Sequence, residues 1–233
     1  MTRSARLAVR QALLEQRSFW RSAEYALFTF AFPLMILLLI GAANVGSHLP
    51  GTAIANTTVF VPGILAFGVI VAAYANLGTK VAVLRHDGVL KRIRTTPLPA
   101  GAYLAGVLGA AAFGAVPRAS GLPEFAGGLV LGVACFGALG VALSAVAGSA
   151  ESAAPIANAT YLPLAIMSGI FSPAFRVPHW LSGAVGLFPV RPLAQVLQQG
   201  YTPLAHAPAT DWLVLLAWAA AVGAFAAWRF RWH

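Results

Sequence analysis

The sequence predicts an all-α integral membrane protein with six transmembrane helices, an N-terminal amphipathic surface helix and short outer-interface helices before the last span. Three observations predict it. Hydrophobic residues fill 59% of the 233 positions and charged residues only 9%, against roughly 25% charged in a soluble domain. Six apolar runs of near-spanning length follow one another. The Lys and Arg residues fall between those runs in a one-sided pattern.

Mean hydropathy is +0.79. Six acids and fifteen bases cannot clothe a soluble core of this size, so the apolar surface belongs in lipid. The net charge of +9 and pI near 10.9 would ordinarily suggest nucleic acid as a partner. The bases flank apolar runs instead, which points to lipid headgroups and the positive-inside rule, with no nucleic-acid partner expected. One cysteine, Cys135, lies within an apolar run. It reads as a small buried hydrophobe, and no Cys/His spacing suits a metal.

Residues 1–24 carry Arg3, Arg6, Arg10, Arg17 and Arg21. At 100° per residue these fall within about 60° of one another, with Ala5, Ala8, Ala12, Phe19 and Ala23 opposite, while Leu7 and Leu14 spoil the pattern. The segment reads as a helix on the cytoplasmic surface, against the alternative of a disordered basic tail. The spans follow at 25–45, 59–79, 100–116, 125–148, 156–175 and 211–228. The first is read as an uncleaved helix, because it is long enough to span and five more apolar runs follow.

Lys80, Arg85, Lys91, Arg92 and Arg94 lie between the second and third spans, and Arg229 and Arg231 follow the last. Arg118, Arg176 and Arg191 fall in the alternate connections. With both termini cytoplasmic, twelve bases lie inside and three outside. The third run is short. It ends at Pro117-Arg118 and covers only ~25 Å as a helix; a re-entrant course there would invert everything downstream. The connection 176–210 is semi-apolar and broken by Pro178, Pro189, Pro192 and Pro203, which suggests short helices dipping into the outer interface. Trp212 and Trp228 bracket the last span, ~24 Å apart at helical rise, as interfacial anchors do.

The missing motifs narrow the function. The chain has no G-x-x-x-x-G-K-[ST] phosphate loop and no Ser-His-Asp or H-E-x-x-H arrangement, so neither ATP hydrolysis nor intramembrane hydrolysis is expected of it. Glu15, Glu24, Asp87, Glu124, Glu151 and Asp211 all lie at or beyond span ends. An ion-coupled carrier therefore lacks the intramembrane carboxylates that usually hold its cation.

Three polar or small-residue features remain. The densest polar stretch, Lys80–Thr96, holds Arg85, His86, Lys91, Arg92 and Arg94 around Asp87-Gly88; it either docks a cytoplasmic partner or simply fixes membrane orientation. On the fourth span Gly128, Gly132, Gly140, Ser144 and Gly148 share one helical row, a candidate for close helix packing. On the fifth, Asn158, Tyr161 and Ser168 share a face, with Pro163 available to kink it. Such a stripe serves helix–helix bonding or lines a substrate path.

Several stretches in order resemble the ABC-2 family of transporter permeases, and most nearly the actinobacterial daunorubicin-resistance-like members. They are Phe60-Val-Pro62-Gly63-Ile-Leu, Arg85-His-Asp-Gly88-Val-Leu-Lys91-Arg92-Ile-Arg-Thr-Thr-Pro97-Leu, and Asn158-Ala-Thr-Tyr161-Leu-Pro163. Ser168-Gly169-Ile-Phe171-Ser-Pro173, Pro178-His-Trp180-Leu and Phe188-Pro189-Val-Arg-Pro192-Leu follow. The resemblance implies a dimerising permease, pairing with a second copy or a paralogue, in the bacterial inner membrane. It further implies a coupling element at 80–99, from Arg85 to Arg94, and a separate ATPase subunit holding ATP and Mg while this chain binds no cofactor. The implied activity is export of an amphipathic drug, lipid or glycan-linked substrate, with efflux and antibiotic resistance as the physiological setting. One departure stands out: residues 107–125 look shortened relative to the family. This motivates a degenerate, non-transporting scaffold as the alternative, with an ion-coupled drug carrier third.

Overall fold

The computed structural model describes residues 56–86, 118–170, 179–202 and 207–229, with isolated positions at 35, 38, 39, 42 and 48. The expected surface helix (1–24), nearly all of the first span (25–45), residues 87–99 of the coupling loop and the third span (100–116) lie outside the described residues. The rest is built of helices.

Helix α1 (Thr57–Ile70) runs through a π-helical turn (Val71–Asn76) directly into α2 (Leu77–His86). This helix is longer than the expected 59–79, and residues 80–86, assigned to a loop from sequence, continue it. The physical reason is local. Between Gly78 and the Asp87-Gly88 turn signal no Gly or Pro interrupts the chain, and Lys80, Ala82 and Arg85 are good helix formers.

A single 3₁₀ turn, Ala119–Gly121, leads into α3 (Leu122–Val146), with a proline in the first turn and Glu124 beside it. Proline is tolerated there because the first N–H groups lack intrahelical partners. Helix α4 (Ala150–Met167) starts earlier and ends earlier than the expected 156–175. Ser149 and Ser152 cap its start reciprocally: each hydroxyl accepts from the other residue's backbone N–H, at 3.1 and 3.2 Å. Gly169 ends it in the left-handed region at φ 77°, a conformation that glycine adopts without a Cβ clash.

Two short helices follow, α5 (His179–Leu187) and α6 (Val190–Gln199), and then α7 (Ala209–Arg229). Three stretches among the described residues are long and apolar enough to cross a membrane: Thr57–Val83, Ala119–Val146 and Ala209–Ala226. Glu124, Glu151 and Asp211 each lie in the first turn of their helix, where the macrodipole favours a carboxylate.

Helix α6 organises the bundle. Val190, Leu193, Ala194, Val196 and Leu197 are all buried, and the helix packs on α1, α3 and α7. The short helix expected in this connection is present and is enclosed by its neighbours, because its apolar face is continuous while Arg191, Gln195 and Gln198 keep to the other side. Helix α5 docks differently, on α7. The Trp218 indole Nε1–H donates to the Leu187 carbonyl at 2.8 Å, and Phe188 stacks on the same indole at 5.9 Å.

Contacts at the two ends order the chain. At one end the Arg118 backbone N–H donates to the Gly200 carbonyl at 2.9 Å, and the Gln198 side chain reaches the Val59 carbonyl at 3.4 Å. At the other, Arg85 Nη1 donates to the Ser144 carbonyl at 3.1 Å. His86 and Arg118, which bound residues 87–117, therefore lie at opposite ends of the bundle.

The glycine cap gives a direct test. Gly169→Ala is expected to lower stability in detergent by roughly 1–2 kcal/mol, because alanine is forced into the left-handed region. Gly183→Ala, on a helix face with open space around it, should be neutral or stabilising by up to about 1 kcal/mol. Thermal unfolding of both variants reads the difference.

Candidate functional site

Of the polar residues expected to meet a cytoplasmic partner, Arg85 and His86 form the last turn of α2 and are exposed. Basic side chains suit this position, since the C-terminal carbonyls of a helix carry partial negative charge. Arg85 also bonds across to α3, so the tip of α2 is tethered to the end of a second crossing helix. Asp87, Gly88, Lys91, Arg92 and Arg94 lie outside the described residues.

The small-residue row on α3 divides by position. Val196 of α6 lies directly over Gly128, and a methyl group on Gly132 would lie 2.5 Å from Leu193 Cδ1. Further along, a methyl on Gly140 would lie 2.7 Å from the Ala73 carbonyl oxygen and 3.0 Å from that of Tyr74. Ser144 is buried, and its hydroxyl donates to the Val141 carbonyl at 2.6 Å. Phe136, the large residue that interrupts the row, is itself buried in the core. Gly148 does not share this environment: it lies beyond the end of α3 with open space around it.

On α4 the three candidate polar residues face different surroundings. Tyr161 is buried against Phe67 and Tyr74, with ring centroids 5.8 and 6.3 Å away. Asn158 is exposed. Ser168 turns inward on its own helix, donating to the Ala165 carbonyl at 2.7 Å. The spacing that sets these residues on one face holds only approximately, because an offset of three residues turns the side chain by about 60°.

Sequence reasoning missed three residues. Gly78 of α2 meets Gly140 reciprocally, a methyl on it falling 3.0 Å from the Gly140 carbonyl. Tyr74 and Thr160 hydrogen-bond at 2.7 Å between their hydroxyls, joining the second and fifth predicted spans. Two signals were available: a tyrosine alone in a long apolar run needs a partner for its hydroxyl, and a glycine one turn beyond it permits close approach.

A sequence model of the ABC-2 type transporter family matches residues 9–117 and 109–201. These two stretches extend over most of the chain. The chain belongs to the ABC-2 type transporter family. Among curated proteins, none matches. Family membership makes the chain a transport permease rather than a catalytic domain, and it implies association with an ABC ATPase subunit. The two matched stretches overlap at residues 109–117, inside the segment 107–125 that the sequence marks as shortened.

For this ABC-2 permease the glycine row yields a paired test. Gly132→Ile should push Leu193 out of its rotamer and lower stability by about 1–3 kcal/mol. Gly148→Ile should leave stability unchanged, as read by thermal unfolding of the purified variants. Equal effects at both positions would remove the packing role from the row.

Proposed function

We propose that this ABC-2 permease is the membrane-spanning subunit of an ATP-driven exporter, acting with a second copy or a paralogue and with two separate ATPase subunits in a bacterial inner membrane. Both termini and the Arg85 end face the cytoplasm. ATP and Mg reside on the ATPase subunits, whose closure presses on Arg85, His86, Asp87, Gly88, Lys91, Arg92 and Arg94. That pressure switches the spans between inward and outward access.

The observation that carries this reading is the exposed basic tip of a single helix that runs the full depth of the bundle from Thr57 to His86. A push at such a tip enters the bundle along the helix itself, without an intervening loop. Exposed Asn158 supports a substrate path along α4, because an amide facing hydrocarbon alone is unfavourable. The substrate class that fits is an amphipathic drug, lipid or glycan-linked molecule.

The shortened segment 107–125 favours a second reading, a degenerate permease that serves as a membrane scaffold. Against it stands the position of His86 and Arg118 at opposite ends of the bundle, which supports a chain that still crosses between them.

Co-expression with a candidate ATPase tests the proposal. The exporter reading expects the two to co-elute in mild detergent and substrate to stimulate hydrolysis. Lys91→Glu with Arg92→Glu should preserve membrane insertion but reduce that stimulation on the order of tenfold, equivalent to ~1.4 kcal/mol of coupling. Normal stimulation in the double variant would remove the coupling role from this loop, and a permease that never retains an ATPase would favour the scaffold.

A further inference from the structure

The helix from Thr57 to His86 is continuous, but its two halves belong to different neighbourhoods. Helix α1 packs chiefly on α6; the Val59 carbonyl accepts from Gln198, and a methyl on Gly63 would lie 2.5 Å from the Ile170 carbonyl oxygen. Helix α2 packs on α3 and α4, with Gly78 against Gly140 and Arg85 on the Ser144 carbonyl. The change of neighbourhood falls at the π-helical turn Val71–Asn76.

A π turn holds one residue more than an α turn and replaces i→i+4 bonds by i→i+5, which widens the helix locally and is a recognised place for an axis to bend. Here its carbonyls are also met from outside. Gly140 approaches the Ala73 and Tyr74 oxygens and the Gly78 nitrogen with no side chain between. Gly140 puts no side chain into the turn and so can act as a pivot, while one turn further along α3 the Leu143 side chain packs over Gly78.

Tyr74 lies inside the same turn. Its neighbour Thr160 donates its single hydroxyl proton to the Ala157 or Ile156 carbonyl, at 2.8 and 2.9 Å. Thr160 can therefore only accept from Tyr74 across the 2.7 Å contact, and the Tyr74 hydroxyl is the donor. The Tyr74 ring further meets Tyr161 edge-on. The turn at which the helix can bend is thus also the point at which it holds α4.

We propose that Val71–Asn76 is a joint in the second span, pivoting on Gly140, that passes movement of the Arg85 end to α4 through the Tyr74–Thr160 hydrogen bond. The source of that movement rests on the exporter reading above; the existence of the joint does not. Its function is to let α2 swing while α1 stays fixed to α6.

Removing one residue from the turn, by deleting Ala72, regularises the helix and leaves both flanks in register, since the π turn holds one residue too many for α geometry. Spin labels at Gly68→Cys and Val83→Cys bracket the turn about 22 Å apart along a straight helix, and Cys135, fully buried, stays unlabelled. With the permease alone in lipid nanodiscs, two distances should appear in the native turn and one in the Ala72 deletion. A single narrow distance in the native protein, identical to that of the deletion, would overturn the joint.

Addition of the ATPase and ATP should then shift the population between the two distances; two distances that ATP does not move would leave the joint standing and count against the exporter reading. Tyr74→Phe provides a second variant that keeps the packing. It should retain both α1–α2 distances while abolishing the matched change between labels at Val83→Cys and Ala154→Cys on α4. Unchanged coupling in Tyr74→Phe would overturn the role of the hydrogen bond.

Discussion

Helices in a bilayer gain nothing from hiding apolar side chains from one another, because lipid is as apolar as leucine, so the bundle depends on how closely backbones approach. In this protein the approach is made at glycines. Gly78 meets Gly140, Gly121 meets Gly200, and Gly63 lies on the Ile170 carbonyl. At each of these places an added methyl would fall within 3.0 Å of a backbone oxygen, and the Leu143 and Phe125 side chains crowd Gly78 and Gly200 as well. The large core residues Phe67, Phe125, Phe136, Leu193 and Leu197 fill what remains between these contacts.

Polar groups in such a bundle are bonded or placed at an end. The Thr79 hydroxyl returns to the Ala75 carbonyl at 2.8 Å, Ser144 and Ser168 do likewise on their own helices, and Trp218 finds the Leu187 carbonyl. The Tyr74–Thr160 bond differs from these because it joins two side chains on different helices and sits where the backbone pattern itself changes. Asn158 differs in another way, being exposed in mid-helix, which sets it apart as the residue on α4 that a passing molecule or a second subunit would meet.

These two exceptions lie two residues apart on α4, at Thr160 and Asn158, and the proposed mechanism of the ABC-2 permease rests on the first. An exposed basic tip at Arg85 and His86 is tied to α3, the helix above it is held at the π turn, and α4 is attached at that turn through Thr160. On the proposed joint, movement delivered at the tip would reach α4 within the span rather than at its ends.

The sequence by itself determined the class of protein, the family and the three crossing helices among the described residues, because hydropathy and family motifs are written along the chain and need no partner to be read. It also determined the small-residue row at Gly128, Gly132 and Gly140, since helical periodicity is a local property. Only the tertiary structure decided what each member of that row touches, that Gly148 falls off it, and which helices enclose α6. Helix boundaries at 150 and 167 were likewise decided by capping hydroxyls and a left-handed glycine that hydropathy does not register. The π turn and the Tyr74–Thr160 bond were out of reach for the same reason. One is a backbone pattern that hydropathy does not register, and the other joins residues 86 positions apart, which no local pattern can bring together.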